Sequence, residues 1–254
     1  MTEPLRMGPR ATGSAEKRVA IIQSNYLPWK GYFDIIRDVD LFVFHDDLQY
    51  TKDDWRNRNR IKTSSGLRWL TIPVGRDEKR LICEVPLPVN NWADEHWRLL
   101  KSAYGNAPYF KTYAPFFEEI YRSPRWATLS ELNQTLIRRI AHELLGLTTC
   151  FEDSRHYQLL AHKQERVLEL LRKTGATTYV SGPAAKSYID EARFKQANIQ
   201  LIWKNYSGYP KYPQPHPPFE HTVSIVDILF QVGPATPDFI WGWREDAVSP
   251  IFSA

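Results

Sequence analysis

Cysteine is scarce in this chain: of 254 residues only Cys83 and Cys150 carry thiols, far apart and without C-x-x-C spacing. Their number and separation exclude a disulfide framework and argue against a zinc site, so both are expected as reduced, packed thiols. No apolar run approaches the length needed to cross a bilayer, and the opening stretch MTEPLRMGPRATGSAEK lacks the apolar segment of a signal peptide. A cytoplasmic protein is the expectation. The G-x-S-x-G elbow, the H-E-x-x-H zinc motif and the G-x-G-x-x-G fingerprint are all missing, which leaves serine hydrolase, zincin and dinucleotide dehydrogenase chemistry unsupported. Charge of one sign is lacking too: the formal net charge is +4 with acids and bases interspersed. That balance suits an anionic small-molecule partner (a nucleotide, sugar nucleotide or amino acid) better than a nucleic-acid groove.

What is present is a large apolar complement, 43% of residues, together with 9 Trp, 13 Tyr and 18 Pro. Residues 1–16 are rich in Gly, Pro, Ser and charge and are expected as a flexible leader. Residues 17–254 are expected as a single α/β domain with a helical insertion at about 92–146. Val19 to Gln23 and Leu41 to Phe44 are continuous apolar runs, as in strands covered on both faces, with a helix over Tyr32 to Arg37 between them. A hairpin is expected from Arg60 to Lys62 with Arg68 to Val74, and a short strand from Leu81 to Val85. Helical spacing marks Trp92 to Tyr104, Pro115 to Tyr121, Thr128 to Leu145 and Gln164 to Lys173. Strands at Thr178 to Val180 and Ile199 to Lys204, then a helix over Thr222 to Phe230, complete an open, mainly parallel α/β sheet of HUP or Rossmann type.

Four constellations could carry chemistry. In the first, Gln23, Asn25, Tyr26, Trp29, Lys30 and Gly31 occupy a strand-to-helix turn, where unpaired backbone N–H groups can receive an anion and the aromatic rings can stack; an ordinary packed connection is the competing reading. In the second, Asp46 and Asp47 fall at a strand's C-terminal edge and could hold Mg²⁺. They are followed by Gln49, Trp55 and the alternating series Arg56, Asn57, Arg58, Asn59, Arg60, in which an extended chain points the arginines one way and the asparagines the other. The third is Ser181, Gly182 and Lys186, a glycine turn able to cradle phosphate without the full P-loop pattern. The fourth gathers Tyr212, Gln214 and Asp227, with Ser224 as the candidate N-cap of the last helix and Asp227 its first-turn dipole partner.

QSNYLPWKGYF, FHDDLQYTKDDWRNRNRIK, WLTIPV, APYF, YVSGPAAKSYI and SIVDILFQVG together resemble the WbqC-like protein family of bacteria, in collinear order from Val19 to Gly233. The resemblance implies a place among genes for surface polysaccharide (O-antigen) and specialised-metabolite biosynthesis, with glycyl or aminoacyl transfer onto an amino sugar as a suggested activity. A more distant similarity in layout joins the first block to nucleotidyltransferase-type HUP domains such as pantothenate synthetase. Those carry H-x-G-H where this chain has Trp29-Lys30-Gly31-Tyr32, so only the glycine and its placement match. The expectation is an enzyme, a transferase or ATP-dependent ligase, forming an amide or ester through an adenylate made from ATP and Mg²⁺. In it Lys30, Asp46, Asp47 and Arg58 carry the chemistry. Two rivals stay open: a non-catalytic protein binding a nucleotide sugar or similar anion, and a transferase drawing on aminoacyl-tRNA.

Overall fold

The computed structural model describes residues 16–123 and 126–246. Most of the expected leader therefore lies outside the described residues. Five strands form one all-parallel sheet: β1 (Arg18–Ile22), β2 (Leu41–Phe44), β5 (Cys150–Asp153), β6 (Thr178–Ser181) and β7 (Gln200–Trp203), in the spatial order β5-β2-β1-β6-β7. In that Rossmann-like order the chain winds outward from β1 through β2 to β5 and then returns to β6 on the other flank. The reversal lies between β1 and β6.

The continuous apolar strands behave as their period-two geometry requires. Ala20, Phe42, Phe44 and Val180 enter one core layer, while Val19, Ile21, Leu41, Val43 and Tyr179 enter the other. The larger layer packs α1 (Lys30–Arg37), α2 (Trp92–Tyr104), α3 (Phe110–Arg122), α4 (Leu129–Arg139) and α7 (Ile225–Val232). The smaller packs α5 (Lys163–Thr174) and α6 (Glu191–Gln196) through Leu168, Leu170, Leu171 and Phe194. Gly175 closes α5 in the left-handed conformation with φ 70°, where a glycine has no Cβ penalty.

The separate hairpin pairs β3 (Arg58–Thr63) with β4 (Gly66–Thr71), two residues earlier than the spacing suggested. Two expectations need correction. Leu81 to Val85 is no strand but a single 3-10 turn over Ile82–Glu84, because Glu84 reaches back to the Leu81 amide at 2.8 Å and closes the turn. Pro115 does not open its helix; α3 begins at Phe110, after the Tyr109 amide docks on the Phe230 carbonyl at 3.0 Å. After Gly182 the chain makes a 3-10 turn, Pro183–Ser187, and the next α-helix starts only at Glu191, capped by Asp190. No helix among the described residues is long and apolar enough to cross a membrane.

Candidate functional site

The tips of β1 and β2 and the start of α5 enclose a cleft of about 720 Å³ at the C-terminal edge of the sheet. Ile21, Ile22, Leu48, Val167, Tyr179, Ile189 and Phe194 give it apolar walls; Gln23, His45, Lys163, Glu165, Arg166 and Arg193 supply polar groups. A cavity of this size with few convergent polar side chains has the form of a small-molecule site. Arg166 organises one wall. It pairs with Asp47, donates from Nε to His45 Nε2 at 3.2 Å, and donates to the Leu159 carbonyl at 3.2 Å. Ser154 Oγ donates to the other Asp47 oxygen at 2.5 Å. Burial holds His45 neutral, its pKa pushed down to about 4, with Asp47 pulling against that shift and Arg166 adding to it. Arg193 pairs with Glu165 at 2.9 Å across the rim.

The two acids expected to share a cation diverge. Asp46 has no exposed surface; its carboxylate accepts the Ser24 amide at 2.7 Å, Ser130 Oγ at 2.5 Å and Gln134 Nε2 at 3.0 Å. Asp47 turns away to Arg166 and Ser154. Both carboxylates are thus occupied by protein donors, and no group of three or more His, Cys, Asp or Glu side chains among the described residues could hold a metal ion. The residues expected to hold Mg²⁺ do not fit that role.

The first constellation is divided by the fold. Gln23 lines the sheet-edge cleft, whereas Asn25 and Trp29 line a second, smaller opening of about 250 Å³ together with Pro28, Trp55, Asn59 and Thr222. Arg56 ties the two together, donating to Asn25 Oδ1 and, at 3.2 Å, to Gln23 Oε1. Tyr26 is fully buried in a relay with Tyr121 and His96, away from both openings. Gly31 is not open to an anion: a Cβ placed there would lie 2.3 Å from the Trp29 ring, so the missing side chain is the space the indole fills. Gly31→Ala should therefore destabilise the fold by about 1–3 kcal/mol through overpacking despite alanine's better helix propensity. Urea unfolding checks this, with a changed near-ultraviolet signal reporting the displaced indole.

Lys30 is buried and caged. Its Nζ lies 3.2 Å from His221 Nδ1 and 4.8 Å and 5.4 Å from the ring centres of Tyr209 and Tyr212. Desolvation lowers its pKa to about 8 against the pull of Asp227 and Asp34. The fourth constellation closes on itself beneath the same loop. Asp227, fully buried, accepts Tyr104 Oη at 2.9 Å, Tyr212 Oη at 2.6 Å and Gln214 Nε2 at 2.8 Å. Burial raises its pKa. Lys62, which sequence reasoning missed, joins this network by donating to Gln214 Oε1 at 3.0 Å. Ser224 caps α7 by accepting from the Val226 amide at 3.4 Å.

Within the hairpin the alternation holds, with Asn59 and Ile61 buried and Arg58 and Arg60 on the other face, but Arg56, expected to point with them, precedes β3 in a turn and bonds Asn25 and Gln23 instead. Arg58 stacks 4.4 Å from the Trp69 ring and pairs with Asp53 at 3.3 Å. Asn57 and Asn59 bond backbone carbonyls, of Ile72 and of Tyr26 and Leu27. Gln49 is exposed and bridges to Leu81; Ser181 is buried at the end of β6, followed by Gly182; Lys186 is exposed, 5.5 Å from the Trp203 ring. Sequence reasoning left Arg166, Arg193, Lys163 and Tyr179 out of the site. Only the pairing of β5 with β2 and of β6 with β1, which brings α5, β6 and α6 to the strand tips, puts them there.

The model of the WbqC-like protein family matches residues 23–239 of the chain. A protein of Mycobacterium tuberculosis (strain ATCC 25618 / H37Rv), "Uncharacterized protein Rv1507c", is 46% identical over 227 residues, covering 88% of this chain and 97% of its own length.

Proposed function

The chain belongs to the WbqC-like protein family, and on that premise we propose that it is an enzyme of amide or ester formation, transferring an acyl or aminoacyl group by way of an adenylate. The observation that carries the reading is the cleft at the reversal point of the parallel sheet, where apolar walls meet Lys163, Arg166 and Arg193. A purine fits against Tyr179, Phe194 and Ile189, and its phosphates fit toward Lys163 and Arg166 at the start of α5 and Arg193 on α6. The substrate carboxylate attacks the α-phosphorus of ATP, the bond to pyrophosphate breaks, and an acyl adenylate forms. An amine or hydroxyl then attacks the acyl carbon, loses its proton to solvent and releases AMP. With no activated nucleophile among the cleft residues, the protein's contribution is positioning and charge stabilisation.

Incubating the protein with ATP as its Mg²⁺ salt, glycine and a panel of amino-sugar nucleotides should yield AMP, pyrophosphate and an amide. Arg193→Ala should weaken ATP binding at least ~10-fold by calorimetry, as the loss of one charge-assisted contact requires. No nucleotide binding and no AMP would remove the proposal. Binding without turnover is the second reading, favoured by the saturation of Asp46, which leaves that carboxylate no free oxygen for acid–base work. ATP or sugar-nucleotide binding with no AMP formed would select it.

A further inference from the structure

The smaller opening has a consistent chemistry once its hydrogen-bond accounts are settled. Asn59 is spent: Nδ2 donates to the Tyr26 and Leu27 carbonyls at 3.2 Å and 2.8 Å, and Oδ1 accepts from the Arg60 amide at 2.8 Å. Thr222 Oγ1 accepts from Arg60 and donates to Glu220 at 2.6 Å. Asn25 Oδ1 is taken by Arg56. Among the described residues, the side-chain groups without a protein partner are, in the lining, Asn25 Nδ2 and the indole Nε1 of Trp29 and of Trp55 and, beside it, the buried Nε of Arg60, whose guanidinium bonds Thr222 of the lining. All four are donors. A ligand that satisfies them must bring acceptors.

Charge and shape narrow the class. Arg60 makes no ion pair with a carboxylate among the described residues, unlike Arg56 and Arg58, which pair with Asp54 and Asp53. Its guanidinium lies 6.0 Å from the Trp55 ring and 5.6 Å from that of Trp69, at the edge of the opening. Trp29 is held in place over Gly31 and edge-on against Tyr206, with ring centres 5.2 Å apart. Trp55 leans on Trp69 at 5.6 Å yet keeps 41% of its surface exposed. Two fixed indoles around about 250 Å³ accept one ring, not a chain or a whole dinucleotide.

We propose that this slot is a second binding site, taking a single ring that carries an anionic, acceptor-rich group: the ring stacks on Trp55 and Trp29, and the anion meets Arg60 and Asn25 Nδ2. The claim stands without the adenylate reading. Taken with it, the slot holds the acyl acceptor, and the wall formed by Gln23, Arg56 and Asn25 separates acceptor from nucleotide while bringing both to one turn.

A hexose phosphate and a nucleoside monophosphate share the required chemistry, so the test has an arm for each. The indole N–H resonances of the ¹⁵N-labelled full chain are followed while glucose 1-phosphate, UMP, glucose and inorganic phosphate are titrated separately. The signals of Trp29 and Trp55 are assigned by their loss in Trp29→Phe and Trp55→Leu. At least one ring phosphate should shift both signals, and bind at least ~10-fold more tightly than glucose or phosphate alone, one lost charge-assisted contact being worth about that factor. Trp55→Leu and Arg60→Lys should each weaken that binding several-fold, while Arg193→Ala leaves it unchanged. The arm that binds identifies the ring. Inorganic phosphate binding as tightly as both ring phosphates, no indole shift with either, or full affinity in both Trp55→Leu and Arg60→Lys would overturn the proposal. Loss of ATP turnover with intact slot binding would instead strike only at the adenylate reading.

Discussion

Asp46→Ala is expected to cost about 3–5 kcal/mol, a large share of the stability of a natural protein of this kind. The carboxylate is fully buried and serves three donors from two segments: the Ser24 amide after β1, and Ser130 and Gln134 on α4. Alanine leaves the first two without an acceptor, while Gln134 keeps its second acceptor, Asp153, at 2.7 Å. Asp46→Asn should cost less, since Oδ1 can still accept from Ser24 and the Ser130 hydroxyl can turn to accept from the new amide nitrogen; the penalty falls where that nitrogen faces Gln134 Nε2. The loss also reaches the site. The Ser24 bond fixes the turn that carries Gln23 to one opening and Asn25 to the other. Urea unfolding of both variants decides the matter, and an alanine variant within about 1 kcal/mol of the parent would show that solvent replaces the acceptor at little cost.

That a residue picked out for metal chemistry is instead a fastener shows where the sequence stops being legible. Strand-end acids are visible in FHDD, but whether a carboxylate faces solvent or a neighbouring helix depends on residues 84 and 88 positions away, Ser130 and Gln134. Local pattern did fix much of the fold. The runs around Val19 and Leu41 gave two central strands, and helical spacing located α2 at its observed limits. β5 was missed because it is an edge strand: Cys150 is exposed and Phe151 and Glu152 half-buried, so CFED has no apolar signature. Without β5 the crossover from the far edge of the sheet through α5 to β6 cannot be drawn, and the cations of α5 cannot be assigned to a cleft.

The smaller opening was more legible, since Asn25, Trp29, Trp55 and Asn59 of its lining and Arg60 beside it all stand in the two blocks singled out from composition and alternation. Their roles were not. Alternation separates Asn59 from Arg60 but cannot say that Asn59 bonds the Tyr26 and Leu27 carbonyls and so has nothing left for a ligand. The same holds for Asp227, Tyr212 and Gln214, polar residues that satisfy one another in the interior.

Acidification from pH 6.5 toward 4 is expected to remove about 3 kcal/mol of stability through His96 alone. Burial lowers its pKa from 6.5 to about 4, opposed by its bond to the Thr71 carbonyl. The geometry fixes a neutral tautomer: Nε2 donates to Thr71 O at 3.2 Å, so Nδ1 accepts from Tyr26 Oη at 2.9 Å. The folded-state pKa is depressed, and between the two values the unfolded chain binds the proton that the folded chain refuses. Stability is therefore complete above 6.5 and falls as pH drops toward 4, at about 1.4 kcal/mol per unit. His45, also lowered to about 4 by burial, works in the same direction. Asp227 opposes both, because its raised pKa makes the folded state the better proton acceptor above 3.8. A difference measurement isolates His96. In His96→Gln, Oε1 can accept from Tyr26 and Nε2 can donate to Thr71 O with no group to titrate. Its stability should lie within about 2 kcal/mol of the parent at pH 8, the scale of one perturbed buried hydrogen bond. Toward pH 4 it should fall less steeply than the parent, closing or reversing that gap. Parallel curves for the two proteins across this range would mean that His96 accepts a proton in the folded state and that its burial does not set the acid limb.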